Sequence, residues 1–175
     1  MNNPKILGGV GSLFILIGFS PYIGFIFSIL GMVLILIANY QIGKLINNQD
    51  IFKNTVNGFV IEFIGSFVGG ILVGNSLMTM MQTGDYSAFG LFTFIGLAFI
   101  YASIIVGNWY LMNAFYTISK AYYQNLFDIG GKFLFWGAIG ILVFGLGLIA
   151  IFIGWILITI AYFNLPSKES IDKVV

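Results

Sequence analysis

Residues 16–25 read "LIGFSPYIGF" and lie inside an apolar run from Ile6 to Ala38. Either Ser20-Pro21 kinks one long helix, or it marks the turn between two short ones. The choice decides how often the chain crosses an apolar layer. Local chemistry favours the turn. Asn3-Pro4 and Ser20-Pro21 carry one signal twice, a capping side chain followed by proline at a first helical position. Gly18 is placed to end the preceding helix. Gly18-Phe19-Ser20 then makes the turn, and Pro21 opens the next helix. Membrane helices also tolerate proline kinks, so the rest of the chain has to arbitrate.

Composition names the solvent. Of 175 residues, 59% are apolar and 7% are charged, where soluble domains carry about a quarter charged residues. A mean hydropathy of +1.03 points to a lipid-facing surface. The net charge of +1 and the absence of arginine give no basic field for nucleic acid. With no cysteine and no histidine there are no disulfides, no thiolate metal sites and no imidazole proton shuttle. The start, "MNNPKILGGVGSLF", has one lysine before its apolar stretch and no convincing cleavage site, so it reads as a retained first membrane segment.

Apolar stretches run over roughly 6–40, 56–81, 88–118 and 133–165. A hydrocarbon core about 30 Å thick takes about 20 helical residues. The middle two stretches fit one span each, and the outer two are long enough for a hairpin of short helices. Lysine placement supports that division. Spans at about 4–19, 21–43, 55–81, 87–118, 131–145 and 147–165, with a cytoplasmic N-terminus, put all seven lysines on one side. The outer turns near Ser20, Asp85 and Gly145 carry none, as the positive-inside rule expects. A four-span arrangement would export Lys44, Lys53, Lys120 and Lys132. A five-span arrangement with 133–165 unbroken stays open, because "VFGLGLIA" (143–150) has glycines but no proline. The expectation is an all-α transmembrane bundle of about six spans in one domain, 1–165, with short N- and C-terminal hairpins. A polar tail, 166–175, follows, and both termini are cytoplasmic.

"GMVLILIA" (31–38) matches "GWILITIA" (154–161) at five of eight positions, and "GSLFILI" (11–17) resembles "GAIGILV" (137–143). The pattern reads either as the low complexity of membrane sequence or as two related hairpins. Tyr40, Tyr110, Tyr116, Tyr122 and Tyr123 gather at the expected cytoplasmic ends, where amphipathic rings favour the headgroup region.

Glu62 is the only charge deep within an expected span. Gly58, Glu62, Gly65, Ser66, Gly69 and Gly70 share one broad helical face. Gly65/Gly69 and Ser66/Gly70/Gly74 are small-xxx-small pairs that let helices approach closely. Glu62 is therefore expected to point into the bundle. Counting from Lys53 and Lys120 puts Asn113 at its depth on the antiparallel fourth span and Asn108 level with Ser66. An Asn113–Glu62 hydrogen bond would satisfy both side chains. The candidate polar site is Glu62, Asn113, Asn108 and Ser66. The candidate packing positions are Gly65, Gly69, Gly70 and Gly74.

Enzyme chemistry finds little purchase. No second buried carboxylate divides acid from base work, and Ser66 and Ser103 have neither histidine nor a lysine at their depth. "GGVG", "VGG" and "IGG" lack the Gly-Lys-Ser/Thr of a phosphate loop. No catalytic residue, metal ligand or cofactor is expected. Expected partners are membrane lipids and a second copy or a larger membrane complex. A small proton or cation transporter using Glu62 is the alternative, since intramembrane ionisable groups are functional suspects.

The runs "GGVGSLFILIGFSPYIGFIFSILGMVLILIA", "IFKN", "FYTISKAYYQNLFDIGGKFLFWGAIGIL" and "IGWILITIAYF" cover most of the chain. They resemble an uncharacterised family of small archaeal integral membrane proteins, classed as a domain of unknown function. The resemblance implies an archaeal polytopic membrane protein. It implies no activity and carries over no functional residue.

Overall fold

The computed structural model describes residues 3–84, 86–143 and 145–166 and, of 86–89, the backbone alone. Asp85 and the tail from 167 lie outside the described residues. Six helices follow one another: α1 (Pro4–Ile17), α2 (Gly24–Leu45), α3 (Asp50–Thr83), α4 (Tyr86–Tyr122), α5 (Asn125–Gly140) and α6 (Leu146–Phe163). No strand occurs among the described residues. The fold is an all-α bundle of three consecutive hairpins. Four helices are long and apolar enough to cross a membrane: α2, α3, α4 from Gly90 onward, and α6. The 14 residues of α1 and 16 of α5 make shorter rods, about 21 and 24 Å long at 1.5 Å per residue.

The opening stretch is a turn. Asn3 caps α1 by accepting from the Lys5 N–H at 3.1 Å, with Pro4 in the first helical position. Gly18 ends α1 as expected, its N–H bonded to the Phe14 carbonyl. Pro21 does not open α2, however; α2 starts at Gly24 without a side-chain cap. The reason is steric and local. The chain doubles back so tightly that a side chain at Gly24 would collide with the Gly18 carbonyl, and the Gly24 N–H bonds to Ser20 O. Proline therefore sits within the connection. The last apolar stretch is also a hairpin, broken by Gly145, whose φ of 74° belongs to the left-handed region that glycine enters without strain.

Glycine governs how the hairpins close. A Cβ at Gly11 would lie 2.9 Å from the Gly31 carbonyl, and one at Gly154 would lie 2.9 Å from that of Gly130. Where side chains are absent, helix backbones touch and dispersion holds them. The echo between 31–38 and 154–161 is thus structural: Gly31 and Gly154 play the same part. The echo between 11–17 and 137–143 is offset, because Gly31 closes on Gly11 while Gly154 closes on Gly130. Residue 130 lies seven positions, about two turns, from the residue 137 that sequence similarity picked out.

α1 packs on α2 and α6, α4 packs on α3 and α5, and α2 touches α3. Their shared core holds Ile35, Ile42, Ile51, Leu111, Phe115, Phe127, Leu134 and Ile158. Phe115 and Tyr162 meet edge to face at 6.3 Å, and Phe127 and Tyr162 do so at 4.9 Å. The helices outrun the expected spans at the lysine-rich end, leaving connections of only 46–49 and 123–124. Lys44 and Lys120 consequently lie on helices, each over a tyrosine ring one turn back, Tyr40 at 4.5 Å and Tyr116 at 4.4 Å.

Candidate polar site at the crossing of α3 and α4

The α3–α4 register is set by glycine on backbone. A Cβ at Gly58 would lie 2.9 Å from the Gly107 carbonyl, and one at Gly69 would lie 2.5 Å from that of Gly96. Between these contacts Gly65 faces the side chain of Ser103. Ser103 bonds back to the Ile100 carbonyl at 2.8 Å, so its hydroxyl is satisfied within α4.

Glu62 sits in this crossing, partly buried. The methylene stem of Glu62 lies over Gly107, where any Cβ would strike it. The Asn108 amide donates to Glu62 Oε1 at 2.7 Å and to the Ile104 carbonyl at 2.9 Å. Asn108 itself is buried, 5% exposed. The residues thus form a glycine notch, a carboxyl lying across it and an amide that locks it.

The expected Asn113–Glu62 pair is replaced by Asn108–Glu62. Asn113 lies five residues further along α4, about 7 Å in height and about 140° around the axis at 100° per residue. Counting depth from lysines misplaced the partner because lysine stems reach over several ångströms of interface. Backbone contact between glycines fixes the register far more narrowly. Asn108 is 12 residues before Lys120, about 18 Å of helix.

The small-residue stripe divides. Gly65 and Gly69 are buried against α4, whereas Ser66, Gly70 and Gly74 are exposed. A Cβ at Gly70 or Gly74 would meet nothing within 4 Å. They do not pack within the chain, because positions 66, 70 and 74 are one residue, about 100°, past the face that carries 65 and 69. Beyond Glu62 this open stripe runs along α3 among exposed Phe63, Phe67, Ile71 and Met78. Ser76, on the α4 side, bonds Thr93 at 2.9 Å.

A second polar network had no forecast. Tyr162 Oη donates to Asn39 Oδ1 at 2.6 Å, Asn39 Nδ2 donates to Thr55 Oγ1 at 2.8 Å, and Thr55 donates to the Ile51 carbonyl at 2.7 Å. All three side chains are fully buried, and they join α6, α2 and α3. Gly8 makes room for the tyrosine ring, which would strike any side chain there. The available signal was face membership: Asn39 shares a helical face with Gly31, Ile35 and Ile42, while Tyr40 beside it faces outward. No group of three or more metal-ligating side chains occurs among the described residues.

Residues 27–156 match a family described as a protein of unknown function, DUF996. An uncharacterized protein of Methanocaldococcus jannaschii, MJ1644, is 30% identical over 168 residues, covering 95% of this chain and 93% of that protein. No solved structure matches the chain significantly. The family match spans most of the chain and the archaeal relative nearly all of it: the chain belongs to the DUF996 family.

Proposed function

We propose that this protein is a non-enzymatic integral membrane component that assembles with itself or with a larger membrane complex. The observation that carries the reading is the outer half of α3. From Ser66 onward its open stripe, Ser66, Gly70 and Gly74, has no neighbouring helix, while Gly65 and Gly69 on the adjoining face are already used. Small residues at helix interfaces let a second backbone approach and gain dispersion contacts that lipid tails match poorly. Phe63, Phe67 and Ile71 flank the stripe and would seat around an incoming helix. The lysine pattern supports an orientation with both termini cytoplasmic and the hairpin tips near Ser20 and Leu146 outward.

Glu62 in this reading is a structural bolt. Its one side-chain partner among the described residues is a neutral amide on the adjacent helix, and its stem fills the Gly107 notch. Association in lipid nanodiscs provides the test, read by single-molecule photobleaching. Gly70→Leu and Gly74→Leu are expected to shift assemblies towards monomers while leaving the fold intact, because both sites are open. A wild-type chain that is strictly monomeric and co-purifies with no partner would sink the proposal.

A further inference from the structure

The hairpins α1–α2, α3–α4 and α5–α6 repeat one design. In each, a glycine of the first helix lies against the carbonyl of a glycine of the second. A Cβ at Gly11, Gly58 or Gly130 would sit 2.9, 2.9 or 3.0 Å from the oxygen of Gly31, Gly107 or Gly154. Four, seven and eleven residues after the second glycine come buried Ile35, Ala38 and Ile42 in the first hairpin. Leu111, Ala114 and Ile118 hold these positions in the second, and Ile158, Ala161 and Leu165 in the third, all buried. The hairpins also join in rotation, α2 to α3, α4 to α5 and α6 to α1. Equivalent positions make the joints: Asn39 meets Thr55, Phe115 stacks on Phe127, and the Tyr162 ring lies over Gly8. The bundle is a closed ring of three equivalent hairpins.

That equivalence lets the middle notch be compared with its sisters. The residue four places after the first glycine closes each one. Ile15 lies over Gly31, Leu134 over Gly154, and the stem of Glu62 over Gly107. The residue that follows the second glycine is Met32, Trp155 and Asn108 in turn. Two hairpins of the same build thus close with apolar residues at both positions. In the third, the methylene stem of Glu62 does the closing. Its carboxyl and the Asn108 amide are additions that closure does not require. Polar groups in an apolar layer cost desolvation. A polar pair placed where apolar equivalents suffice therefore marks a site rather than a packing solution.

The surroundings narrow the ligand. Asn108 turns N–H, not oxygen, towards the carboxyl, and its amide also serves the Ile104 carbonyl. Metal cations take several oxygens at once, so this is a poor cation cage. No charge answers the carboxyl either: among the described residues Glu62 forms no ion pair. On α4, Tyr101 donates to the Ile139 carbonyl, Tyr110 meets Trp109, and Tyr116 holds Lys120. On α2, Tyr40 holds Lys44. Asp50 and Lys53 on α3 and Tyr122 on α4 lie nine or more residues along the helices from the pair. A proton is the ligand these surroundings leave. We propose that Glu62, oriented by Asn108, is a reversible proton-binding site within the membrane, carried by the middle hairpin alone. Oε1 is held by the amide, and Oε2 takes the proton. The partial exposure of Glu62 gives the proton a way in and out. The inference shares the membrane setting of the assembly reading but not the α3 stripe, so either can fail while the other stands.

The test is the infrared difference spectrum of the full chain in nanodiscs, recorded from about pH 6 to about pH 9, where carboxyls in water are ionised throughout. Wild type is expected to lose one carboxylic-acid C=O band and gain carboxylate bands as the pH rises. Glu62→Gln should show neither change. The double variant Glu62→Ile with Asn108→Met installs the residues of the first hairpin at both positions. It should insert, unfold at the wild-type midpoint temperature and lack the infrared change, because replacing both partners of a hydrogen bond by apolar groups is nearly neutral. A wild-type spectrum that stays constant, or that changes equally in Glu62→Gln, overturns the site, since a carboxyl fixed in one state is a bolt alone. A double variant that fails to insert, or unfolds at a markedly lower temperature, also overturns it, since the polar pair would then be what closes the hairpin.

Discussion

Glu62 and Asn108 illustrate how a charged residue type is accommodated inside an apolar hairpin. The carboxyl has an amide donor at 2.7 Å and a glycine notch for its stem. Substituting the donor by a shape-compatible apolar residue, Asn108→Leu, leaves Glu62 without that partner and should destabilise the chain by about 1–3 kcal/mol. Glu62→Gln preserves an acceptor oxygen for the same amide and should stay within about 1 kcal/mol of wild type. Unfolding in mixed micelles measures both. Proton flux in proteoliposomes separates the structural role from transport. Equal flux, or equal absence of it, in wild type and Glu62→Gln removes the carboxyl from any conduction mechanism. A selective loss in Glu62→Gln would instead restore it.

At the scale of elements, glycines with the same sequence signature have opposite environments. Gly11 and Gly31 meet backbone to backbone, whereas Gly70 and Gly74 face open space. Gly31→Leu should therefore spring the α1–α2 hairpin and cost about 1–3 kcal/mol or more, the order seen on overpacking a tight contact. Gly70→Leu should not lower the unfolding midpoint, and the gain in helix propensity, about 1 kcal/mol for replacing glycine within a helix, should raise it slightly. Thermal unfolding in detergent distinguishes the two. A loss at Gly70 equal to that at Gly31 would mean that the α3 stripe is packed within the chain. The hairpin tips show the same economy. Backbone N–H groups of Gly18, Phe19, Ser20, Val143, Gly145 and Leu146 all find carbonyls within their own turns. Turns satisfied in this way tolerate an apolar environment, which fits the exposed Tyr22, Phe25 and Leu142 around them.

For the whole molecule, the hairpins differ in length. The 34 and 37 residues of α3 and α4 make rods of about 51 and 56 Å, roughly twice the length of α1 or α5. The short hairpins brace one half of the long one, and the other half is clad only by its own two helices. That asymmetry underlies the proposed assembly face. The orientation is open to a direct check by cysteine labelling of this naturally cysteine-free chain. Ser20→Cys and Leu146→Cys should react with an impermeant thiol reagent from outside only, and Gln49→Cys and Tyr123→Cys from inside only. Labelling of Ser20→Cys from the cytoplasmic side would reverse the topology.

Sequence alone determined the fold class and the break at "LIGFSPYIGF", and it favoured six helices while leaving 133–165 open as one span or two. Those follow from composition, capping pairs and lysine placement, which act locally or through the surrounding solvent. It also singled out Glu62, because a charge within an apolar run is conspicuous wherever the run folds. Only the tertiary structure decided what Glu62 touches. Its partner depends on the register between α3 and α4, which contacts at Gly58, Gly69, Gly96 and Gly107 fix. Lysine counting reads depth with a tolerance of about two turns, enough to exchange Asn108 for Asn113. The same limit hid the Asn39–Thr55–Tyr162 network, whose members lie on three helices and as many as 123 positions apart. Helical spacing showed which residues of α3 share a face. Which glycines were covered depended on where α4 lies against it, and that is a property of the packed molecule.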